Sequence, residues 1–360
     1  MTNPAEQTVL IFGAGAIGTT LAHWLTPYIP NLYLFDKPEI IAQLKSGITC
    51  YEQAKEESVR QVTCISSLSE IPPPDVILLC VKNYSLDGVA QVIQKAYGDY
   101  PVIIGLQNGR ENQRVLPRYF SKVAYGVVCY NAWQDKVGKV GYQKKGPLVL
   151  GMLDRMLDGM LNSMLDSSLD DDTENHLSQS ALQSIVALLN SGVPTQLTPA
   201  LQNAVVCKML ANLTNSVTTL VGFGFRELDH PELFQRIMVS VLYEGMQILK
   251  QAGYQECKLD GMPSWFTLAF AAKMPAWVTR PLFMRNMKKM VISSMAQDIV
   301  LYGRHAHELE SINGEMLQIA AEHGIPAPIN GILYRLCQEQ FAAEAFQPMS
   351  VKALYQALCG

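Results

Sequence analysis

The chain has 360 residues, long enough for two domains that each bury a core, and its 49% apolar and 17% charged residues exclude a disordered chain. A formal net charge of −4 supplies no broad basic field for nucleic acid or anionic lipid, and no uninterrupted apolar run reaches membrane-spanning length. Eight cysteines, scattered without a CxxC pair or a His/Cys cluster, point to reduced thiols in the cytoplasm and to no metal site, and Met1–Gln7 lacks the basic region of a signal peptide.

Val9–Phe12 reads as a buried strand that runs into Gly13-Ala14-Gly15-Ala16-Ile17-Gly18, the GxGxxG turn of a dinucleotide-binding βαβ unit. Gly13 suits the tight turn, Gly15 lets the backbone approach a pyrophosphate, and Gly18 lets the helix pack against the strand. The backbone N–H groups of Ala14, Ala16 and Ile17 stand where a helix start holds phosphate. A helix over about 16–25 ends near Pro27, and a second apolar run, Leu32–Phe35, delivers Asp36 and Lys37 about 20 residues on, where the ribose is expected. An acid there favours NAD, whereas a neighbouring base suits a 2′-phosphate.

Apolar runs at 75–81 and 101–106, with a helical pattern over 86–97 between them, continue as β/α repeats of a doubly wound sheet. Lys82 and Asn108 follow the carboxyl ends of these two strands, where such folds bind ligands. Each also has a plain reading, a solvated lysine and an Asn-Gly turn. Further strands are expected at 123–130, 138–142 and 148–151. Met152, Met156, Met160 and Met164 then recur at i, i+4 in an insertion of about 152–172 that reads as one face of a packed helix or as a tandem repeat with little function. A helix over 180–189 follows, and residues 192–199 have the proline and threonine content of a connection.

From Leu201 onward the texture is helical, with segments at about 201–219, 231–252, 286–302, 307–323 and 328–344. The expected fold is α/β: a Rossmann-type domain over 1–197, then a mostly helical domain over 198–360 that binds substrate and carries the chemistry. Lys208 and Asn212 lie one turn apart on one helix face. In apolar company the lysine either snorkels or is held with a lowered pKa, and the second state suits a general acid. On one straight helix Ser294 and Glu308 would stand about 21 Å apart, too far to share a small substrate. A helix stop at Gly303 would let the chain turn back and bring both to one pocket.

Taken together, these residues resemble the ketopantoate reductase (2-dehydropantoate 2-reductase) family over roughly Val9 to Gln340. The resemblance rests on Gly13–Gly18, Lys82, Gln107-Asn108-Gly109, Lys208 with Asn212, 293–298 (SSMAQD), 308–314 (ELESING) and 323–328 (HGIPAP). It implies reduction of ketopantoate to pantoate by NADP(H), with NAD(H) possible, on the route to pantothenate and coenzyme A. It implies further that Lys208 is the proton donor, that Glu308 holds the substrate hydroxyl, and that Asn212 and Ser294 bind substrate oxygens. Asn108 and Lys82 are then expected near the cofactor and the reacting carbon, and a homodimer is expected. Val206 and Ser216 depart from the family's usual Trp and Asn, and the segment from Ser294 to Glu308 is about two residues longer than usual. Another 2-oxo acid on the same scaffold and a non-catalytic NADP(H) sensor are the alternatives.

Overall fold

The structure, a computed structural model, describes residues 6–53, 55–153, 177–259, 262–303 and 308–360. The methionine-rich helix expected over 152–172 lies, beyond residue 153, outside the described residues. The chain divides into two compact units, Met1–Gln107 with Glu111–Gln202, and Asn108–Arg110 with Asn203–Gly360.

The first unit is built on an eight-stranded sheet. Six parallel strands, β1 (Val9–Phe12), β2 (Leu32–Phe35), β5 (Thr63–Ile65), β6 (Val76–Leu79), β7 (Val102–Gly105) and β8 (Val123–Val128), lie in the order β5-β2-β1-β6-β7-β8. That is the doubly wound dinucleotide-binding order, with its switch point between β1 and β6. Every residue of β1 and β6 is buried, as continuous apolar strands covered on both faces require. Phe12 pairs with Phe35 and with Leu79, so the residues after all three strands emerge at one edge.

Helix α1 (Ala16–Leu25) packs on β2 and on a second sheet of β3 (Ile48–Glu52), β4 (Glu57–Arg60), β9 (Ala132–Lys136) and β10 (Lys139–Tyr142). Enclosed from two sides, it is buried from Gly18 to Leu25. Helices α2 (Pro38–Leu44), α3 (Leu86–Tyr97), α4 (Glu111–Val115) and α5 (Gln179–Asn190) complete the layers.

Two sequence expectations change here. The strand expected at 138–142 is β10, in the second sheet. The connection 192–199 contains β12 (Thr195–Leu197), which pairs parallel with β11 (Leu148–Gly151), itself antiparallel to β8. Pro194 and Pro199 bracket only four residues, of which three form the strand, a length at which an edge strand leaves almost no periodic trace.

The second unit is helical: α6 (Leu201–Leu220), α7 (Pro231–Gln251), α8 (Trp265–Lys273), α9 (Ala276–Met287), α10 (Glu315–Glu322), α11 (Pro328–Phe341) and α12 (Val351–Cys359). Its core gathers Phe234, Ile237 and Val241 of α7 with Leu213 and Val217 of α6 and Met316 of α10, all fully buried. The single helix expected over 286–302 is broken. α9 stops at Met287, and Ser293 then caps a short turn, Ser294–Ala296, by accepting from Ala296 N at 3.1 Å, before a π-helical stretch over Gln297–Leu301. A serine hydroxyl that captures a backbone N–H starts a new helix rather than continuing the old one. Gly303 has φ +57°, the left-handed stop expected there. The helix expected from 307 begins as a π-helical turn, Glu310–Gly314, and continues as α10. α8 and α12, each capped by a serine, Ser264 and Ser350, were not among the expected elements, and of α9 only residues 286 and 287 were.

Candidate active site

At the strand-end edge of the first unit, Gly13 has φ +109°, a conformation open to glycine, and its N–H donates to Phe35 O at 2.9 Å. A Cβ on Gly18 would stand 1.8 Å from Gly13 O, whereas one on Gly15 would meet nothing within 4 Å. Gly18 is therefore fixed by packing, and Gly15 faces open space. Gly15 is also the N-cap of α1 and supplies no side-chain cap, so the first N–H groups of the helix suit an anion. A dinucleotide pyrophosphate fits this turn. Thr19 Oγ1 and Gln134 Nε2 both donate to Ala14 O, at 3.0 and 3.2 Å, and brace it from α1 and from β9.

Asp36 accepts from Ala14 N through Oδ2 at 2.6 Å and from Lys37 N through Oδ1 at 2.7 Å. Its carboxylate is thus drawn toward the glycine turn, while Lys37 is exposed at the N-cap of α2. Lys82 stands at the N-cap position of a short 3₁₀ turn just beyond β6, with no side-chain cap, and is half-buried. Buried Gln107 donates to Leu79 O at 2.9 Å and to Val81 O at 3.1 Å, which holds the end of β6.

In the second unit, Lys208, Ala211, Asn212 and Asn215 are half-buried on α6 and lie at the i, i+3, i+4, i+7 spacing of one face. Asn212 Nδ2 donates to Asn108 Oδ1 at 3.2 Å, and Asn108 Nδ2 donates to Glu308 Oε1 at 3.2 Å. Three of the residues singled out in the sequence therefore share one hydrogen-bonded row. Glu308 is buried, at 6% exposure. Ser294 is half-buried at the start of its turn, and since Ser293 is the cap, its hydroxyl is not consumed in that role. No hydrogen bond joins Ser294 to the row among the described residues.

An ammonium, two amides and a carboxylate can polarise a carbonyl, donate a proton to its oxygen and accept from a hydroxyl. Asn215, beside Ser216 where the family usually has its asparagine, is a member of that α6 face to which the sequence assigned no role, although its i+7 spacing from Lys208 was there to be read. Ser216 faces the core instead, accepting from Asn313 Nδ2 at 3.1 Å.

The sheet order, the glycine turn and the polar row suit nicotinamide-dependent reduction on a Rossmann-type fold. Family models for ketopantoate reductase PanE/ApbA match residues 9–155, and those for its C-terminal domain match residues 200–340. The chain belongs to the ketopantoate reductase PanE/ApbA family and is an NAD(P)-dependent oxidoreductase. A 2-dehydropantoate 2-reductase of Archaeoglobus fulgidus is 24% identical over 332 residues, covering 92% of this chain and 96% of that protein. Among solved structures, D-mandelate dehydrogenase with NADH and anilino(oxo)acetate aligns with TM-score 0.67 at 18% identity, over 98% of this chain and 99% of that one. A dimeric ketopantoate reductase from Staphylococcus aureus aligns with TM-score 0.66 at 20% identity, over 93% of this chain and 100% of that one.

Proposed function

We propose that this protein reduces 2-dehydropantoate to pantoate, a step toward pantothenate and coenzyme A. The observation that carries the reading is the row Asn212–Asn108–Glu308 in the helical unit, together with Lys208 one turn before Asn212 on α6. Bound nicotinamide dinucleotide supplies the hydride. Lys208 donates the proton to the oxo oxygen, which becomes alkoxide-like as the carbonyl is reduced. Glu308 accepts from the substrate hydroxyl, Asn212 and Ser294 bind substrate oxygens, and Asn108 orients the reacting carbon. Gly13 to Gly18 hold the pyrophosphate, with Lys82 beside the cofactor.

NADP(H) is the proposed cofactor. Both Asp36 oxygens are engaged by backbone N–H groups, and the exposed Lys37 is suited to a 2′-phosphate. NAD(H) is the second reading, because a carboxylate at this position accepts from ribose hydroxyls and repels a 2′-phosphate. The name of the A. fulgidus relative supports ketopantoate as the substrate, and the D-mandelate dehydrogenase likeness keeps an aromatic 2-oxo acid as the rival. A homodimer is proposed from the dimeric S. aureus relative, and a cytoplasmic location from eight free cysteines, which suit a reducing compartment.

The test is oxidation of NADPH and of NADH against a panel of 2-oxo acids, with Lys208→Ala alongside the unaltered protein. The expected result is turnover of ketopantoate with NADPH, and a loss in Lys208→Ala of about 10² to 10⁴ in kcat with unchanged cofactor affinity. Full turnover by Lys208→Ala would remove the lysine from its role. Faster turnover of an aromatic 2-oxo acid would replace the substrate, and faster turnover with NADH would replace the cofactor.

A further inference from the structure

Asn108 sits in the connection between β7 and α4, yet Asn108–Arg110 group with the helical unit while Gln107 and Glu111 do not. Two neighbours of Asn108 account for this. Gly109 is buried with φ +81°, and a Cβ there would stand 2.2 Å from Ser311 O, so only a glycine lets the strap lie this close to the π-helical turn. Arg110 donates from Nε to Glu315 Oε1 at 2.6 Å, its Nη2 lies 2.5 Å from the same oxygen, and its Nη1 donates to Tyr254 OH at 3.2 Å. Glu322 adds a more distant carboxylate at 3.7 Å. The side chains of Arg110 and Glu315 are 16% and 2% exposed, so this is an enclosed ion pair rather than a surface one.

We propose that Arg110 is a positioning residue: through Glu315 and Tyr254 it ties the 108–110 strap to the helical unit and so holds the Asn108 amide between Asn212 and Glu308. An amide that must accept from Asn212 on one side and donate to Glu308 on the other has a single useful orientation. Its own backbone lies in the connection between β7 and α4, outside any strand or helix. Two residues along, the planar guanidinium of Arg110 anchors this backbone, because its donors meet acceptors on Glu315 and Tyr254, a geometry that lysine cannot reproduce.

This inference rests on the reading of Asn108, Asn212 and Glu308 as the 2-oxo acid site, and its test separates the two. Arg110→Lys, which keeps the charge, and Arg110→Ala are made alone and in an Asn108→Ala background, with melting curves to exclude unfolded protein. The KM for ketopantoate is expected to rise about tenfold to a hundredfold in either single variant, with NADPH affinity unchanged. In the Asn108→Ala background the same changes are expected to add less than about twofold. An undiminished effect there would overturn the proposal, since Arg110 would then act by another route. Hydrogen–deuterium exchange supplies a readout independent of turnover: Arg110→Lys should lose protection over residues 108–112 while α6 keeps its own. If the unaltered protein turns over no 2-oxo acid, the function reading fails and exchange alone decides the tether. Retained protection over 108–112 would overturn it.

Discussion

His23 is only 3% exposed in α1, with Nε2 3.2 Å from both the carbonyl oxygen and the hydroxyl of Ser58 on β4. Burial lowers its pKa from 6.5 to about 4, and the nearby Arg60, whose Nη1 donates to His23 O at 2.7 Å, pushes it the same way, as does Lys145. The folded protein therefore keeps the imidazole neutral where the unfolded chain would protonate it. Between pH 6.5 and about 4 the unfolded state binds more protons, so stability falls as pH falls through that window and levels off below it. The whole effect is roughly 3 kcal/mol. His23→Gln, which can still donate to Ser58 O but does not titrate, should flatten the urea-unfolding free energy between pH 7 and 4.5. An unchanged slope in that variant would assign the pH dependence to other groups.

Element by element, the glycine turn and α1 give the sharpest contrast, because Gly15 and Gly18 are constrained by different things. Gly18→Ala drives a Cβ into Gly13 O and against Cys80, a clash within the backbone of the turn, and should cost about 1–3 kcal/mol or more of stability. Gly15→Ala meets no protein atom, so it should leave the melting temperature nearly unchanged and weaken dinucleotide binding alone. Thermal melts with a cofactor fluorescence titration check both, and a Gly15→Ala protein that melts early would assign that glycine a structural role. The β1–turn–α1 unit was legible in the sequence because everything that specifies it is local: an apolar run, three spaced glycines and an acid at the end of the next strand. The row Asn212–Asn108–Glu308 was not legible from local pattern, since its members lie 104 and 200 residues from Asn108 along the chain. Only the family resemblance brought them together. The bracing of Ala14 by Gln134 from the second sheet depends on tertiary pairing, which no window of 11 to 18 residues contains, whereas the cap at Ser293 is local and was there to be read.

At the scale of the molecule, each unit has its own core. Val9, Leu21, Leu78 and Leu182 are among the residues of one, and Val206, Phe234, Met316 and Leu354 among those of the other. Two separately closed cores allow two unfolding transitions, since a chain with more than one core need not unfold in a single step. A ligand that binds one folded unit stabilises that unit by mass action, by about 2.7 kcal/mol at a concentration 100 times its Kd. NADPH alone should therefore raise the melting temperature of the transition that reports the sheet unit and leave the helical one in place. Trp24 and Trp133 lie in the first unit and Trp265 and Trp277 in the second, so Trp→Phe pairs in either unit let fluorescence assign each transition. Ketopantoate without cofactor should act on the helical transition, if the row Asn212–Asn108–Glu308 is its site. A single transition that NADPH shifts as a whole would mean that the two cores unfold together, and the glycine turn would then stabilise the entire chain rather than its own unit.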